Sequence, residues 1–299
     1  MSRDSILHMF TRAPNLSPFD VNMAIDAGWQ HCIPYTDLEP EHIADLTQDA
    51  IFSRGPKGVR RTGVFIGGRD IHMAMDMLGR ARKAMVPPFE VSVFADPSGA
   101  FTTGAGMVAC VEKQFRQASG EGLEGKTAVV FGGTGPVGMT CAMLAQRAGA
   151  RAVIVSHLGL AGAQSAASTC NERYGCHVDA ADGSDDDKVR ALLADADVVF
   201  SAAKAGVQVL NASHLSAAQR TRVFCDVNAV PPEGIAGVGV MHNGSPLEGT
   251  PNAAVGIGAL AVGNVKYQTQ QALLQQMLES DGPVYLDFVQ AFDVARGKA

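Results

Sequence analysis

The feature that most constrains this chain is an alternation. From Ser5 to Asn228, short runs of β-type residues are followed repeatedly by stretches with helical apolar spacing. Strands separated by helices return parallel, because each helix serves as the crossover that a parallel pair needs. The predicted class is therefore α/β, with parallel sheets covered by helices and ligand-binding loops at the carboxyl edges of the strands. In the first part, strands are predicted at Ser5–Phe10, His31–Tyr35, Thr62–Ile66 and Val91–Ala95. Helices are predicted at Pro18–Ala27, Glu39–Phe52, Asp70–Met85 and Thr102–Gln117, and Ile43, Leu46 and Ala50 fall on one face of the second.

A polar, glycine-rich link, Gln117–Lys126, interrupts the series and then the alternation starts again. Strands are predicted at Thr127–Phe131, Ala152–Ser156, His177–Ala180, Asp197–Ser201 and Arg222–Asn228, with helices Pro136–Ala148, Ala161–Tyr174 and Asp185–Ala194 between them. Two late helices are expected, Asn264–Ser280 and Pro283–Arg296. The expected organisation is two doubly wound domains separated by a cleft. Residues 1–122 form the first; 123–263 form the second, a Rossmann-type sheet; the C-terminal helices of 264–299 can return to the first.

The second series carries the strongest motif. Gly133-Thr134-Gly135-Pro136-Val137-Gly138 reads G-x-G-x-x-G between a strand and an apolar helix. In that pattern Gly133 permits the tight turn, Gly135 lets a pyrophosphate approach the backbone, and Gly138 allows close packing of helix on strand. Pro136 suits a first helical turn, where its missing N–H costs nothing. The second strand ends in Val153-Ile-Val-Ser156-His157, with no carboxylate to bind ribose hydroxyls or repel a 2′-phosphate. Ser156 and His157 can donate to such a phosphate, or Ser156 can simply cap a turn. Ala203 and Lys204, in Ser201-Ala-Ala-Lys-Ala-Gly206, and Asn228, in Asp226-Val-Asn-Ala-Val-Pro-Pro232, follow strands of the same domain and belong at its carboxyl edge, where a nicotinamide would lie. Asp226 and Asn228 also read as ordinary turn residues.

Other patterns are weaker. Gly120-Glu-Gly-Leu-Glu-Gly125-Lys126-Thr127 has phosphate-loop spacing, but its Lys-Thr pair opens a strand instead of a helix, so no helix N-terminus faces a phosphate. Ser17-Pro-Phe19-Asp20 has capping-box spacing and also points Asp20 toward the expected cleft. The loop from Asp96 to Thr102 and Thr103 reads either as an N-cap or as a cradle for a polar heterocycle. Histidines and cysteines show no metal-ligand spacing, and no G-x-S-x-G elbow is present. No metal is expected.

Composition narrows the class further. Lys and Arg number 24 against 30 Asp and Glu, a net −6 that disfavours a phosphate-backbone partner. Six scattered cysteines suit a reducing compartment, and the N-terminus lacks a signal-peptide core, so a cytoplasmic location is expected. The glycine-rich uncharged run Ala253 to Val265 is too short to span a bilayer.

Taken together, Ser17-Pro-Phe-Asp-Val, Phe101-Thr-Thr-Gly, Gly132-Gly-Thr-Gly-Pro-Val-Gly138, Asp226-Val-Asn-Ala-Val-Pro-Pro and Gly256-Ile-Gly-Ala-Leu resemble the bacterial NAD(P)-dependent methylenetetrahydromethanopterin dehydrogenases of one-carbon metabolism. The likeness runs over nearly the whole chain. It implies a pterin-side domain, a Rossmann domain and a trimeric or hexameric homo-oligomer. It also implies hydride transfer from the methylene carbon between two pterin nitrogens to NADP or NAD, leaving a methenyl cation. No general base is needed, so the work is positioning. On the same resemblance, Phe19, Asp20, Asp96, Thr102 and Thr103 contact the pterin, Gly133 to Val137 hold the pyrophosphate, and Lys266 faces the reacting rings, with Lys266 and Asp20 as the catalytic pair. Strictly NADP-dependent members carry a basic residue where this chain has Ser156-His157-Leu158, which implies dual NAD and NADP use. The competing readings are a methylenetetrahydrofolate dehydrogenase, a non-catalytic dinucleotide sensor, and a hydroxy-acid or shikimate-type dehydrogenase. The last needs an acid–base residue that the sequence does not display.

Overall fold

A computed structural model describes residues 3–299. In chain order the elements of the first part are β1 (Ile6–Phe10), α1 (Pro18–Asp26), β2 (His31–Tyr35), α2 (His42–Phe52), α3 (Gly55–Val59), β3 (Thr62–Ile66), α4 (Ile71–Lys83), β4 (Ser92–Ala95), a 3₁₀ turn (Pro97–Gly99) and α5 (Ala100–Ser119). The second series follows as β5 (Thr127–Phe131), α6 (Pro136–Arg147), β6 (Arg151–Ser156), α7 (Leu160–Tyr174), β7 (Asp179–Asp182), α8 (Asp186–Ala194), β8 (Val198–Ser201), α9 (Ala212–Leu215) and β9 (Val223–Asp226). The chain ends with β10 (Asn243–Pro246), β11 (Val255–Ile257), α10 (Ala259–Glu279), β12 (Tyr285–Leu286) and α11 (Phe288–Arg296).

These elements form two compact units. One comprises the chain up to Thr102 with Tyr267–Val294, and the other Thr103–Lys266 with Ala295–Ala299. The chain enters the second unit within α5, not at the polar link near residue 122, because α5 runs as one apolar-faced helix to Ser119 before Gly120 ends it.

The first unit is a five-stranded sheet in the order β12-β4-β3-β1-β2, with every pair parallel. Because β2 lies on one side of β1 and β3 on the other, the winding reverses at β1. Right-handed crossovers then send α1 to one face and α2 and α4 to the other, and α2 and α4 do touch each other. Strands covered on both faces need apolar residues at every position, and β3 and β4 are buried throughout. Trp29 is fully buried and its indole N–H donates to the Leu274 carbonyl of α10 at 3.1 Å. The predicted late helix Pro283–Arg296 is corrected: its first residues form β12 on the edge of this sheet, where the Val93 amide bonds to the Val284 carbonyl. A strand of two residues has no periodicity to detect.

The second unit is a seven-stranded sheet, β10-β11-β9-β8-β5-β6-β7, parallel except for β10 against β11. Its parallel portion has the strand order of a dinucleotide-binding fold, with the reversal between β5 and β8. Helix α10 starts five residues before the predicted Asn264, where Gly258 packs against the Gly239 and Val240 carbonyls and the Leu260 amide donates to the Val240 carbonyl at 3.1 Å. Among the described residues no helix is long and apolar enough to cross a membrane.

Gly63 of β3 has no room for a side chain: a Cβ there would lie 2.6 Å from the Trp29 ring, 3.0 Å from Met277 and 3.2 Å from Leu7. Gly63→Ala is expected to lower unfolding stability by about 1–3 kcal/mol through overpacking. Urea denaturation with an unchanged midpoint would show that this contact yields more easily than close packing allows.

Candidate active site

The second unit holds a cavity of about 530 Å³ at the carboxyl ends of β5, β6 and β8, where its strand order reverses. Ligands of open α/β sheets bind at this position. Its floor is the turn between β5 and α6, and the four glycines of that turn have different reasons to be glycine. Gly132 has φ +68 and abuts the Ala202 carbonyl group. A Cβ at Gly133 would lie 2.7 Å from the Val130 carbonyl oxygen and 2.8 Å from Ile154, and one at Gly138 would collide with the Gly132 carbonyl oxygen. The positive φ of the turn thus belongs to Gly132, and Gly133 is a close-packing residue instead of the turn residue its motif position suggests.

Gly135 is different. Its φ of −83 suits any residue, and a Cβ would meet only the Gly132 oxygen at 3.4 Å. Protein packing does not require a glycine there, but Gly135 lines the cavity with Thr134, and a side chain would project into space the protein leaves open. Pro136 and Val137 open α6, Pro136 at the first turn as expected, and no side chain caps the helix. Its first amides are left for an incoming anion. These residues fit a dinucleotide pyrophosphate.

At the end of β6, His157 is exposed and lines the cavity. Ser156 is buried and its hydroxyl accepts from the Leu158 amide at 3.2 Å, which is the turn-cap arrangement. Asp182 ends β7 in register with Ser156, beside the lining residue Gly183, and pairs with Lys188 at 2.9 Å. Hydrogen bonds from Lys188 and then Ser184 hold its carboxyl down at about 2.

Ala202, Ala203 and Lys204 follow β8 and line the other end of the cavity. Asn228 is buried and commits its amide to the backbone: its oxygen accepts from Gly206 N at 3.1 Å and Val230 N at 2.9 Å, and its nitrogen donates to Pro232 O at 2.8 Å. It therefore ties the loop after β8 to the loop after β9. Asp226 does the same within its own loop, accepting from Asn228 N and Ile235 N, each at 3.1 Å. Burial pushes the Asp226 carboxyl up from its ordinary range, and these amides offset only part of that. Lys266 is half-buried on α10, and Gly106 of α5 lets that helix come close, a Cβ there lying 3.4 Å from Lys266 N. Thr103, on α5, is half-buried in the same unit.

In the first unit Phe19 is 45% exposed at the start of α1, while Asp20 is only 3% exposed. Ser17 makes no side-chain cap, so the capping-box reading does not hold; Asp20 instead accepts from the Gln270 amide of α10 at 2.9 Å. Gln270 and Thr269 are fully buried polar residues that sequence reasoning passed over. Their signal was the four-residue spacing from Lys266 to Gln270 on one helix face. Asp96 and Thr102 are fully buried together: Asp96 accepts from the Thr102 hydroxyl at 2.6 Å, and from the Phe101 and Thr102 amides at 3.0 and 3.2 Å. Of the two readings of that loop, the N-cap is the one these bonds describe. Among the described residues no cluster of His, Cys, Asp or Glu is placed to hold a metal ion.

Gly135→Val fills the open part of the cavity while leaving the protein's own contacts nearly intact. It is expected to weaken NADP and NAD binding at least tenfold with little change in melting temperature. Unchanged nucleotide affinity in a calorimetric titration would remove this turn from the site.

The family model for the N-terminal part of methylene-tetrahydromethanopterin dehydrogenase matches residues 18–98. The chain is 49% identical over 291 residues to the NAD(P)-dependent methylenetetrahydromethanopterin dehydrogenase of Methylorubrum extorquens, covering 97% of each chain. It is 32% identical over 280 residues to the bifunctional protein MdtA of the same organism, covering 94% of each. Among solved structures, shikimate 5-dehydrogenase of Listeria monocytogenes superposes with a TM-score of 0.54 at 14% identity, over 97% of this chain and 96% of that one, which shows a shared fold. With nearly half of its residues identical over nearly the full length of a curated relative, the chain belongs to the family of NAD(P)-dependent methylenetetrahydromethanopterin dehydrogenases.

Proposed function

We propose that this protein oxidises methylene-tetrahydromethanopterin to methenyl-tetrahydromethanopterin with NADP or NAD, a step of one-carbon (formaldehyde) oxidation. The observation that carries this reading is the 49% identity over 97% of the chain, supported by the 530 Å³ crevice that a dinucleotide fits. The carbon–hydrogen bond of the methylene bridge breaks with its electron pair, and the two flanking nitrogens share the resulting positive charge. When bound, the nicotinamide supplies a C4 that accepts the hydride. No proton leaves the carbon, so no side chain has to act as base, and the enzyme's task is to hold donor and acceptor about 3–3.5 Å apart without water.

The chain's own residues divide that task. Gly132, Thr134 and Gly135 line the crevice that receives the pyrophosphate, Gly133 packs beneath them, Pro136 and Val137 open the helix whose first amides face it, and the small Ala202 and Ala203 leave a low wall for a flat ring. Asp226 and Asn228 fix the loops beside that wall through their backbone hydrogen bonds. His157, with the Asp182–Lys188 pair nearby, offers both a donor surface and a neutralised acid at the ribose end, which favours use of both nucleotides. Phe19 offers an exposed ring to the pterin, Asp20 is oriented by Gln270, and Lys266 faces the reacting rings. The assembly this reading carries is a homo-oligomer, a trimer or hexamer, and six free thiols suit the reducing cytoplasm.

An assay with both carriers and both nucleotides tests the reading. Nucleotide reduction is expected with methylene-tetrahydromethanopterin, at a higher kcat/KM than with methylene-tetrahydrofolate; the reverse order makes the folate carrier the substrate, and no turnover with either supports a sensor. Lys266→Ala is expected to lower kcat roughly a hundredfold with an unchanged melting temperature. Wild-type kinetics in that variant would exclude the lysine from the reaction.

A further inference from the structure

Helix α5 carries two glycines, Gly104 and Gly106, in its second turn. A glycine inside a helix is unfavourable relative to alanine, because it gives up more backbone freedom on folding, so each position asks for a reason. Two positions apart on a helix of about 3.6 residues per turn, they face nearly opposite sides. Gly104 faces α6: a Cβ there would lie 2.7 Å from Thr140 Cγ2 and 3.1 Å from the Cys141 amide nitrogen. Gly106 faces α10: a Cβ there would lie 3.2 Å from the Val262 carbonyl oxygen, 3.4 Å from the Lys266 amide nitrogen and 3.5 Å from Val262 Cγ1. All of these residues belong to the second unit.

Val262 and Lys266 are four positions apart, so the carbonyl and the amide that Gly106 abuts are the two ends of one turn of α10. Gly106 thus packs on the backbone of the turn that ends at Lys266, not only on a side chain that could rotate away. Gly104 holds the opposite side of α5 against α6, the helix that starts from the cavity-lining Gly135. The two contacts differ in what they demand. At Gly104 a methyl group would be driven into the fully buried Thr140, and packing alone accounts for the glycine. At Gly106 the gaps fall only a few tenths of an ångström short of ordinary contact, so an alanine fits after a slight shift of α10, and helix propensity favours it. What the glycine preserves there is the place of the Lys266 backbone.

We propose that Gly106 is a positioning residue for the hydride transfer: it lets the turn of α10 that carries Lys266 lie against α5, and α5 fixes that turn relative to α6 and the dinucleotide crevice. The inference rests on the proposed role of Lys266. Near-attack catalysis is steep in distance, roughly a hundredfold for a misplacement of 1 Å, so a displacement of a few tenths lowers the rate several-fold while nucleotide binding and the fold stay intact.

The test is a double-mutant cycle of Gly106→Ala and Lys266→Ala, assayed with methylene-tetrahydromethanopterin and NADP. Calorimetry gives the melting temperature, the NADP Kd and the binding stoichiometry, so that kcat is expressed per nucleotide-binding site. Gly106→Ala is expected to lower kcat about fivefold, with melting temperature and NADP Kd near wild type. In the Lys266→Ala background the same substitution is expected to change kcat no further, since the group it displaces is gone. Wild-type kcat in Gly106→Ala, or an equal loss in both lysine backgrounds, overturns the inference. So does loss of nucleotide binding in Gly106→Ala, which would make the glycine a requirement of the fold. Full activity in Lys266→Ala removes the lysine's role and this inference with it, and that variant alone reveals it. Absence of turnover in wild type strikes the proposed reaction instead, and the same cycle read in calorimetric Kd for tetrahydromethanopterin then decides whether the effect of Gly106→Ala requires the lysine.

Discussion

Parallel pairing is the constraint on which the rest of this structure depends. Because each strand of a parallel sheet must be followed by a crossover, every strand-to-helix connection emerges at the same edge, and polar groups can be placed there without interrupting a buried ladder. Where the strand order reverses, two neighbouring connections leave for opposite faces and a crevice opens between them. This protein has two such sheets and two reversals, one between β5 and β8 and one at β1. Each reversal coincides with a cavity, of about 530 and 300 Å³ respectively. The first carries a backbone cradle at a helix start, and both are consequences of topology before they are consequences of particular side chains.

The polar residues around the larger crevice serve mostly to hold backbone. Asn228 spends its amide on three main-chain groups, and Asp226 accepts two amides while buried. Gly234 lets its loop close over them, since a Cβ there would lie 2.6 Å from both Asp226 and Ser201. This is what a hydride transfer without a proton relay asks of its protein. Rate comes from fixing distance and excluding water, so buried hydrogen bonds that freeze loops matter more than a tuned acid or base.

Much of the architecture was legible because both sheets are long repetitions of one local rule. The spans of β1, β2, β3, β5 and α6 follow directly from apolar runs, turn residues and Pro136 at a helix start. The elements that sequence patterning missed, among them α3, α9, β10, β11 and β12, have two to five residues each, too few to show a period. Site reading followed the same division. The glycine turn was recognisable, yet which glycine bends the chain and which keeps space for a ligand depended on neighbours such as Ile154 and Ala202, distant in sequence. Ser156 matches a phosphate donor and a turn cap equally well in sequence; the fold adds that its oxygen accepts from the Leu158 amide, the bond of a turn cap.

The sequence by itself determined the fold class, the dinucleotide fingerprint and the family, since these reside in local spacing and in motifs whose residues are neighbours along the chain. Only the tertiary structure decided how polar side chains divide their hydrogen bonds. It placed Asp20 on Gln270, 250 positions away, instead of on the amides of its own helix. The reason is that a buried polar atom takes whichever partner the packing presents, and packing joins segments whose separation along the chain leaves no local trace.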